Sequence, residues 1–201
     1  MTRRHLEDSL QVIPIIYEQY VHPIASPCLN INIDFDSLQI NKSPYAIMDY
    51  SVSLFNHMIT VLKNMAILDV GSGAGFPGLV LGICGFNNVV LCESNIKKCL
   101  FLEEVIRQTK CNVQILNVRV ETVSEKFDCI LSRACTDLGG LLKIISNLTL
   151  SHNAFSVFHK GRSWKTELFT SLKYWQFYCQ IYESMTSDDS VLLSVRQLNP
   201  R

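Results

Sequence analysis

The sequence predicts an α/β fold, a doubly wound and mostly parallel sheet with an antiparallel edge strand. Three observations support this prediction. From residue 66 onward, short apolar runs alternate with amphipathic segments; a glycine-rich turn follows the first run; and the chain ends in a hairpin pattern. Short apolar runs suit strands that are buried on both faces. Their alternation with helices indicates parallel strands joined by right-handed crossovers.

The predicted elements follow one another along the second part of the chain. Strands are expected at residues 67–70, 89–92, 113–116, 129–131 and 154–158, and helices at 96–110, 138–150 and 164–175. A turn at residues 187–189 then separates residues 180–182 from residues 190–195. This pattern is typical of a closing antiparallel hairpin at the edge of such a sheet.

The first third of the chain is less regular. Prolines interrupt its pattern at Pro14, Pro23, Pro27 and Pro44, and a helix is predicted only at residues 50–63. We therefore expect residues 1–65 to form an irregular N-terminal cap or insert. Residues 66–201 are expected to form a Rossmann-like domain.

Composition limits the classes of protein to consider. The 201 residues suffice for one sizeable core, and the formal net charge of zero predicts a local basic patch rather than a general polyanion-binding coat. Apolar runs are too short for a membrane span, and the charged N-terminus is unlike a signal peptide, so a soluble, cytoplasmic protein is expected. The eight cysteines form no C-x-x-C pair, which predicts buried thiols and no metal site.

The stretch DVGSGAGFPG at residues 69–78 is the most informative part of the sequence. It joins an apolar strand to an apolar helix through a glycine-rich turn. Glycine permits a positive φ or a close approach to a ligand, and the following helix presents free N–H groups. Gly73, Gly75 and Gly78 also match the dinucleotide fingerprint G-x-G-x-x-G, which is weak evidence when it stands alone.

Two features of this loop favour S-adenosylmethionine over a dinucleotide. The strand ends at Gly71, one glycine earlier than the fingerprint requires. Asp69 lies at the carboxyl end of the strand, where its charge would repel a pyrophosphate but suits the cationic ammonium and sulfonium groups of S-adenosylmethionine. The loop therefore predicts a methyl donor bound near Asp69, Gly71 and Gly73, with a dinucleotide or a purely structural turn as the alternatives.

Acidic residues follow the second and third predicted strands. Glu93 lies roughly 20 residues beyond the glycine loop, where doubly wound folds use an acid to accept hydrogen bonds from ribose. The alternative is an acid favoured by the dipole of the next helix. Glu121 is a candidate acceptor for an adenine amino group, with the backbone of Val120 beside the ring. A solvated loop charge explains Glu121 equally well.

Basic residues follow the fourth and fifth predicted strands. Arg133 ends the fourth strand, while Lys160 and Arg162 follow the fifth, with Lys165 just beyond. Grouped together they would form a compact basic rim suited to phosphate oxygens. The alternative is a set of ordinary surface charges in loops.

Several other chemistries lack their characteristic residues. Methylation of an exocyclic adenine amine commonly uses an Asn/Asp-Pro-Pro-aromatic turn after the fourth strand, but this chain has SRAC at residues 132–135. Methylation of cytosine C5 needs a cysteine nucleophile, and neither Cys28 nor Cys135 has the expected context. The five histidines are scattered, and no Ser/His/Asp hydrolase pattern is present.

The loop and several later motifs resemble the bacterial 16S ribosomal RNA methyltransferase G family, also called glucose-inhibited division protein B. The similarity includes the GFPG ending of the loop and RHLEDS at residues 4–9. It also includes residues 93–102, 119–121, 127–128, 132–134 and 160–161, and the C-terminal ending from Trp175 to Leu193. It covers about two-thirds of the chain.

This resemblance implies a class I methyltransferase with a seven-stranded sheet, which transfers methyl from S-adenosylmethionine to N7 of a guanine in the 530 loop of 16S rRNA. It also implies that Gly71 and Phe76 line the donor, that Val120 and Glu121 contact adenine, and that Arg133 serves the donor or acceptor side. Guanine N7 is an unprotonated lone pair, so no acid or base is required, and Arg133, Lys160 and Arg162 are the candidates for positioning the substrate.

Other functions remain open at the level of the sequence. They are a class I methyltransferase acting on a small molecule or protein, a non-catalytic donor-binding protein and, more distantly, a dinucleotide oxidoreductase. The expected partner is 16S rRNA or the small ribosomal subunit, with no membrane and no metal, and the protein is expected to be a monomer.

Overall fold

The computed structural model describes residues 3–22, 28–29, 40–42, 52–149 and 153–201. The helices are α1 (Arg3–Leu10), α2 (Val12–Val21), α3 (Val52–Leu62), α4 (Gly78–Ile83), α5 (Ile96–Thr109), α6 (Leu138–Ile145) and α7 (Trp164–Ser171). The strands are β1 (Cys28–Leu29), β2 (Ile40–Asn41), β3 (Ile67–Val70), β4 (Val89–Cys92), β5 (Val113–Leu116), β6 (Cys129–Arg133), β7 (Phe155–Lys160), β8 (Trp175–Glu183) and β9 (Val191–Pro200).

These strands form one sheet in the order β5-β4-β3-β6-β7-β9-β8-β1, and β2 also pairs with β8. The strands from β5 to β7 are parallel, whereas β9 runs antiparallel to both β7 and β8. The predicted doubly wound sheet with an antiparallel edge is therefore confirmed. The strand order reverses at β3, where one crossover leads to β4 and the later chain returns to β6. Ligands bind at this kind of switch point in open α/β sheets.

The alternating side chains of the central strands divide the core into two layers. Leu68 and Val70 point to the layer that contains α6 and α7, while Ile67 points to the layer that contains α2, α3, α4 and α5. All four residues of β3 are buried. This burial on both faces explains why the strand reads as an apolar run.

The N-terminal part differs from the irregular pattern that its prolines suggested. Residues 3–21 form two helices, and Pro14 lies in the first turn of α2. An N–H in the first turn has no intrahelical acceptor, so proline is tolerated there. The interpretation of Pro14 as a helix breaker was wrong, whereas Pro23, Pro27 and Pro44 lie outside the described residues. The division of the chain at residue 65 stays a prediction.

Several predicted helices end earlier than the sequence pattern indicated. The helix predicted for residues 138–150 ends at Ile145, and the one predicted for residues 164–175 ends at Ser171, because Trp175 already begins β8. Among the described residues, no helix is long and apolar enough to span a bilayer. No group of three or more potential metal ligands occurs in this part of the chain either.

Candidate active site

The loop between β3 and α4 is held open by glycines and by hydrogen bonds to Asp69. Gly71 and Gly73 have φ values of +68° and +59°, which other residues rarely adopt. The backbone N–H of Gly78 donates to Oδ2 of Asp69 at 3.0 Å, and Ser72 Oγ donates to the Asp69 carbonyl at 2.9 Å. A Cβ on Gly78 would lie 2.7 Å from Cβ of Asp69. Helix α4 therefore packs directly onto the end of β3.

Asp69 lies behind the loop and does not face the ligand side of it. The residue is fully buried, and none of the cavities described below includes it in its lining. Burial raises the pKa of its carboxyl to about 7, although the Gly78 N–H partly opposes this effect. The carboxyl group fixes the first turn of α4 through Oδ2, and its direct contact with a cationic donor stays a prediction.

A cavity of about 520 Å³ opens at the carboxyl ends of β3, β4 and β6. Gly71, Glu93, Val120 and Glu121 line it, so four of the predicted donor-binding residues meet at one place. Its volume lies within the range of 300–1,000 Å³ that is usual for small-molecule sites.

At Gly71 only backbone atoms line this cavity. A Cβ at this position would lie 2.8 Å from Sγ of Cys135, so the loop and the end of β6 approach each other as closely as a glycine allows. Desolvation of the sulfur and the neighbouring Glu93 carboxylate raise the pKa of the Cys135 thiol. A thiol that keeps its proton is a poor nucleophile. Cys135 thus contributes shape to the cavity.

Glu93 connects the glycine loop to the start of α5 and also lines the cavity. Its Oε1 accepts a hydrogen bond from the N–H of Asn95, the N-cap residue of α5, and its Oε2 accepts from the N–H of Gly73 at 3.0 Å. Its side chain is only 7% exposed, yet it lines the cavity. Because each carboxylate oxygen has two lone pairs, Glu93 can hold the loop and still accept from a ligand hydroxyl.

Helix α6 supplies cavity residues that the sequence reasoning missed. Lys143 and Ile144 on α6 and Asn147 in the turn after it line the cavity together with residues of the 3₁₀ turn Val120–Thr122, which carries Glu121. They lie one and three residues apart, and this helix-like spacing was the available signal. The sequence did not show which face of α6 is turned towards the cavity at the carboxyl end of β3.

A second cavity of about 170 Å³ lies at the ends of β6 and β7. Arg133 and Lys160 line it, together with Arg4 and Asp8 from α1. The chain segment 133–136 separates the two cavities, since its first two residues line the second cavity and its last two line the first. Of the two roles predicted for Arg133, this placement favours the acceptor side.

Two residues of the predicted basic rim have carboxylate partners that the sequence analysis did not foresee. Arg133 pairs with Asp8 at 3.1 Å, and the buried Lys160 pairs with Glu167 at 2.9 Å. Burial alone would raise the pKa of the Glu167 carboxyl, but hydrogen bonds from Ser163 and Lys160 hold it below its ordinary value. These carboxylates are distant in sequence or lie on other elements, so the strand-end pattern could not reveal the pairing.

Arg162 and Phe76 occupy positions beside the cavities. The Arg162 side chain is 88% exposed, pairs with Asp189 at 3.0 Å and lies outside the lining of the second cavity. Phe76 is half-buried, and its ring centroid lies 5.6 Å from that of His5. The GFPG turn therefore contacts α1, a contact that sequence spacing did not show.

Comparison with known proteins identifies the family of this chain. The family described as rRNA small subunit methyltransferase G matches residues 45–192, which is most of the chain. The chain belongs to this family. The class I fold, the methyltransferase class and the cofactor predicted from the sequence, S-adenosylmethionine, are thereby confirmed.

Two relatives illustrate the similarity. Ribosomal RNA small subunit methyltransferase G of Rickettsia bellii is 35% identical over 136 residues, covering 68% of this chain and 70% of the relative. The protein of the same name from Rickettsia felis is 32% identical over 168 residues, covering 79% and 86%.

Solved structures share the fold at low sequence identity. The ribosomal protein L11 methylase of Lactobacillus delbrueckii subsp. bulgaricus has a TM-score of 0.57 at 16% identity, covering 72% of this chain and 75% of that one. Magnesium protoporphyrin IX methyltransferase of Synechocystis with bound S-adenosylmethionine has a TM-score of 0.54 at 10% identity, covering 72% and 77%. At these identities the likeness extends to the fold alone.

Proposed function

We propose that this protein methylates N7 of a guanine in the 530 loop of 16S rRNA, with S-adenosylmethionine as the donor. The observation that carries the proposal is the cavity at the switch point, where the bare backbone of Gly71 faces Glu93 and Glu121. Membership in the rRNA small subunit methyltransferase G family supports the RNA substrate. The acceptor is 16S rRNA or the small subunit, and the protein acts as a cytoplasmic monomer.

The residues of the larger cavity fit the donor. The positive φ of Gly71 and its closeness to Cys135 leave no room for a side chain, which gives the donor access to the backbone. Glu93 retains free lone pairs for ribose hydroxyls, and Glu121 lines the same cavity, which supports its role as the acceptor for the adenine amino group. When bound, S-adenosylmethionine supplies an electrophilic methyl group on a sulfonium.

The protein contributes alignment rather than proton transfer in this proposal. Guanine N7 carries a free lone pair at neutral pH, so its attack on the methyl carbon forms the N–C bond while the S–C bond breaks, and no proton is removed. Placing the two reactants in line can supply much of the rate enhancement. The segment 133–136 lies between the two cavities and is positioned to set this alignment.

The donor site is tested with two matched glycine variants. Gly71→Ala places a Cβ 2.8 Å from Cys135 Sγ, whereas Gly161→Ala places one in open space. We expect Gly71→Ala to weaken S-adenosylmethionine binding by about tenfold or more in calorimetry, since the added Cβ must displace Cys135, which lines the donor cavity. Gly161→Ala should bind within about twofold of the native protein. Unaltered binding by a folded Gly71→Ala variant would refute the site.

The acceptor is tested by mapping N7-methylguanine in 16S rRNA from cells with and without the gene. We expect the modification to disappear without the gene and to return with the native protein. Persistence of the modification in its absence would contradict the proposed substrate. Reconstituted small subunits and naked 16S rRNA should then be compared as acceptors in vitro.

A further inference from the structure

The second cavity contains an ion pair, Asp8 with Arg133, to which the proposed reaction assigns no role in binding the base. Asp8 and Arg133 both line this cavity of about 170 Å³. Oδ2 of Asp8 lies 3.1 Å from Nη2 of Arg133, and their side chains are 7% and 19% exposed. A hydrogen-bond acceptor and a hydrogen-bond donor are thus fixed side by side, next to the segment that separates this cavity from the donor cavity.

The surroundings hold this pair in place and leave one donor unused. Thr186 Oγ1 donates to Oδ1 of Asp8, and Nε2 of His159 donates to the Asp8 carbonyl at 3.0 Å. Burial lowers the pKa of His159 to about 4, which keeps the ring neutral. Nη1 of Arg133 is buried and has no hydrogen-bond partner among the described residues. A buried guanidinium N–H without a partner is costly, so an incoming acceptor would be favoured there.

We propose that Asp8 and Arg133 select guanine by reading its Watson–Crick edge in the second cavity. This inference rests on the proposed function. Guanine presents the acceptor O6 beside the donors N1–H and N2–H₂, and this order matches a guanidinium beside a carboxylate. Adenine presents a donor amino group beside the acceptor N1, which is the opposite polarity, so the same pair disfavours adenine.

This orientation leaves the reactive atom free. N7 lies on the side of O6 that is remote from N2, so a base held through O6, N1 and N2 keeps the N7 lone pair unpaired. The donor cavity begins at Cys135, two residues beyond Arg133. A base seated on the Asp8–Arg133 pair therefore has its nucleophile on the edge next to O6, which the pair does not cover.

Two aromatic rings lie next to the charge pair, outside the lining of the second cavity. His5 and Phe76 are both half-buried, with ring centroids 5.6 Å apart. Nη2 of Arg133 donates to Nδ1 of His5 at 2.5 Å, which connects these rings to the charge pair. RNA bases that leave their stack are commonly held on aromatic rings and Arg planes. The cavity is below the size of whole-ligand sites, which suits a single base.

The test compares guanosine and inosine at the acceptor nucleotide of reconstituted small subunits. Inosine keeps O6, N1–H and N7 but lacks the exocyclic amino group. We expect native kcat/KM to be about 10- to 100-fold lower with inosine, because a hydrogen bond to a carboxylate is lost. In Asp8→Asn the guanosine rate should fall towards the inosine rate, which reduces their ratio to about threefold or less. Glu7→Gln, on the exposed side of the same helix, should leave both rates unchanged.

The outcomes separate this inference from the proposed function. If native protein does not methylate the guanosine particle, the proposed function fails. If it methylates guanosine and inosine particles equally, guanine reading is overturned while the proposed function stands, and this result needs no variant. An Asp8→Asn variant with native circular dichroism and native S-adenosylmethionine binding that leaves the guanosine-to-inosine ratio unchanged would also overturn the inference. These two measurements exclude a general loss of structure, which would lower both rates without changing their ratio.

Discussion

Asp69 allows a quantitative test of how the glycine loop is built. Its carboxyl group is fully buried between the end of β3 and the first turn of α4. Burial is the main reason that its pKa rises from 3.8 to about 7, and the hydrogen bond from the Gly78 N–H opposes this rise. The uncharged form is therefore favoured in the folded protein, and the pH dependence of stability should report it.

The sign of the effect follows from proton binding. Between about pH 4 and pH 7, the folded protein keeps the Asp69 proton while the unfolded chain loses it. The folded state binds more protons in this window, so the free energy of unfolding falls as the pH rises through it and levels off above pH 7. The difference between 3.8 and about 7 corresponds to about 4 kcal/mol.

Asp69→Asn removes this titration while keeping an oxygen that can accept from the Gly78 N–H. We expect the free energy of unfolding of the variant, relative to the native protein, to increase by about 4 kcal/mol between pH 4 and pH 8. Urea unfolding followed by tryptophan fluorescence at each pH measures this difference. The comparison at pH 4 is the control, because both side chains are then uncharged in the folded protein. A difference that is independent of pH, or that changes with the opposite sign, would refute the reasoning.

Two further predictions concern packing, one beside the second cavity and one at the opposite end of the sheet, and urea unfolding measures both. Glu167→Gln should lower the free energy of unfolding by about 3 kcal/mol at neutral pH, because it leaves the buried Lys160 ammonium without its carboxylate. The double variant Glu167→Gln/Lys160→Met should recover most of this loss. Native stability of the single variant would contradict the pairing. Gly82→Ala should cost about 1–3 kcal/mol because its Cβ would lie 2.0 Å from Cγ2 of Val113. Adding Val113→Ala should relieve part of that cost, whereas equal losses in the single and double variants would argue against a steric cause.

The sheet was predictable because its central strands are buried on both faces. All residues of β3 and β4 are buried, and both strands begin and end where the apolar runs begin and end. The helix ends were less predictable because the apolar pattern continues beyond them into turns or the next strand, as at Trp175. Helices α1 and α2 were missed since a proline in a first helical turn resembles a breaker when the position of that turn is unknown.

The candidate site was predictable where function depends on local sequence. Gly71, Glu93 and Val120–Glu121 follow strands that share one edge of the sheet, so the topology alone brings them together. The pairing of Arg133 with Asp8 joins residues on β6 and α1. Sequence spacing carries no information about such a contact. For this reason Arg133 was predicted as part of a compact basic rim, and its ion pair with Asp8 was not foreseen.

The conformation of Ala134 connects the two halves of the site. Ala134 has a φ of +54°, in the left-handed region. For a residue with a side chain this conformation costs of the order of 1 kcal/mol, so it persists only where the surrounding structure enforces it. Arg133 before it lines the second cavity, and Cys135 after it lines the donor cavity. A residue in an ordinary extended conformation would continue the direction of β6. The turn at Ala134 instead directs the side chains on its two sides, Arg133 and Cys135, into different cavities. A single strained residue therefore sets the boundary across which the methyl group is proposed to pass.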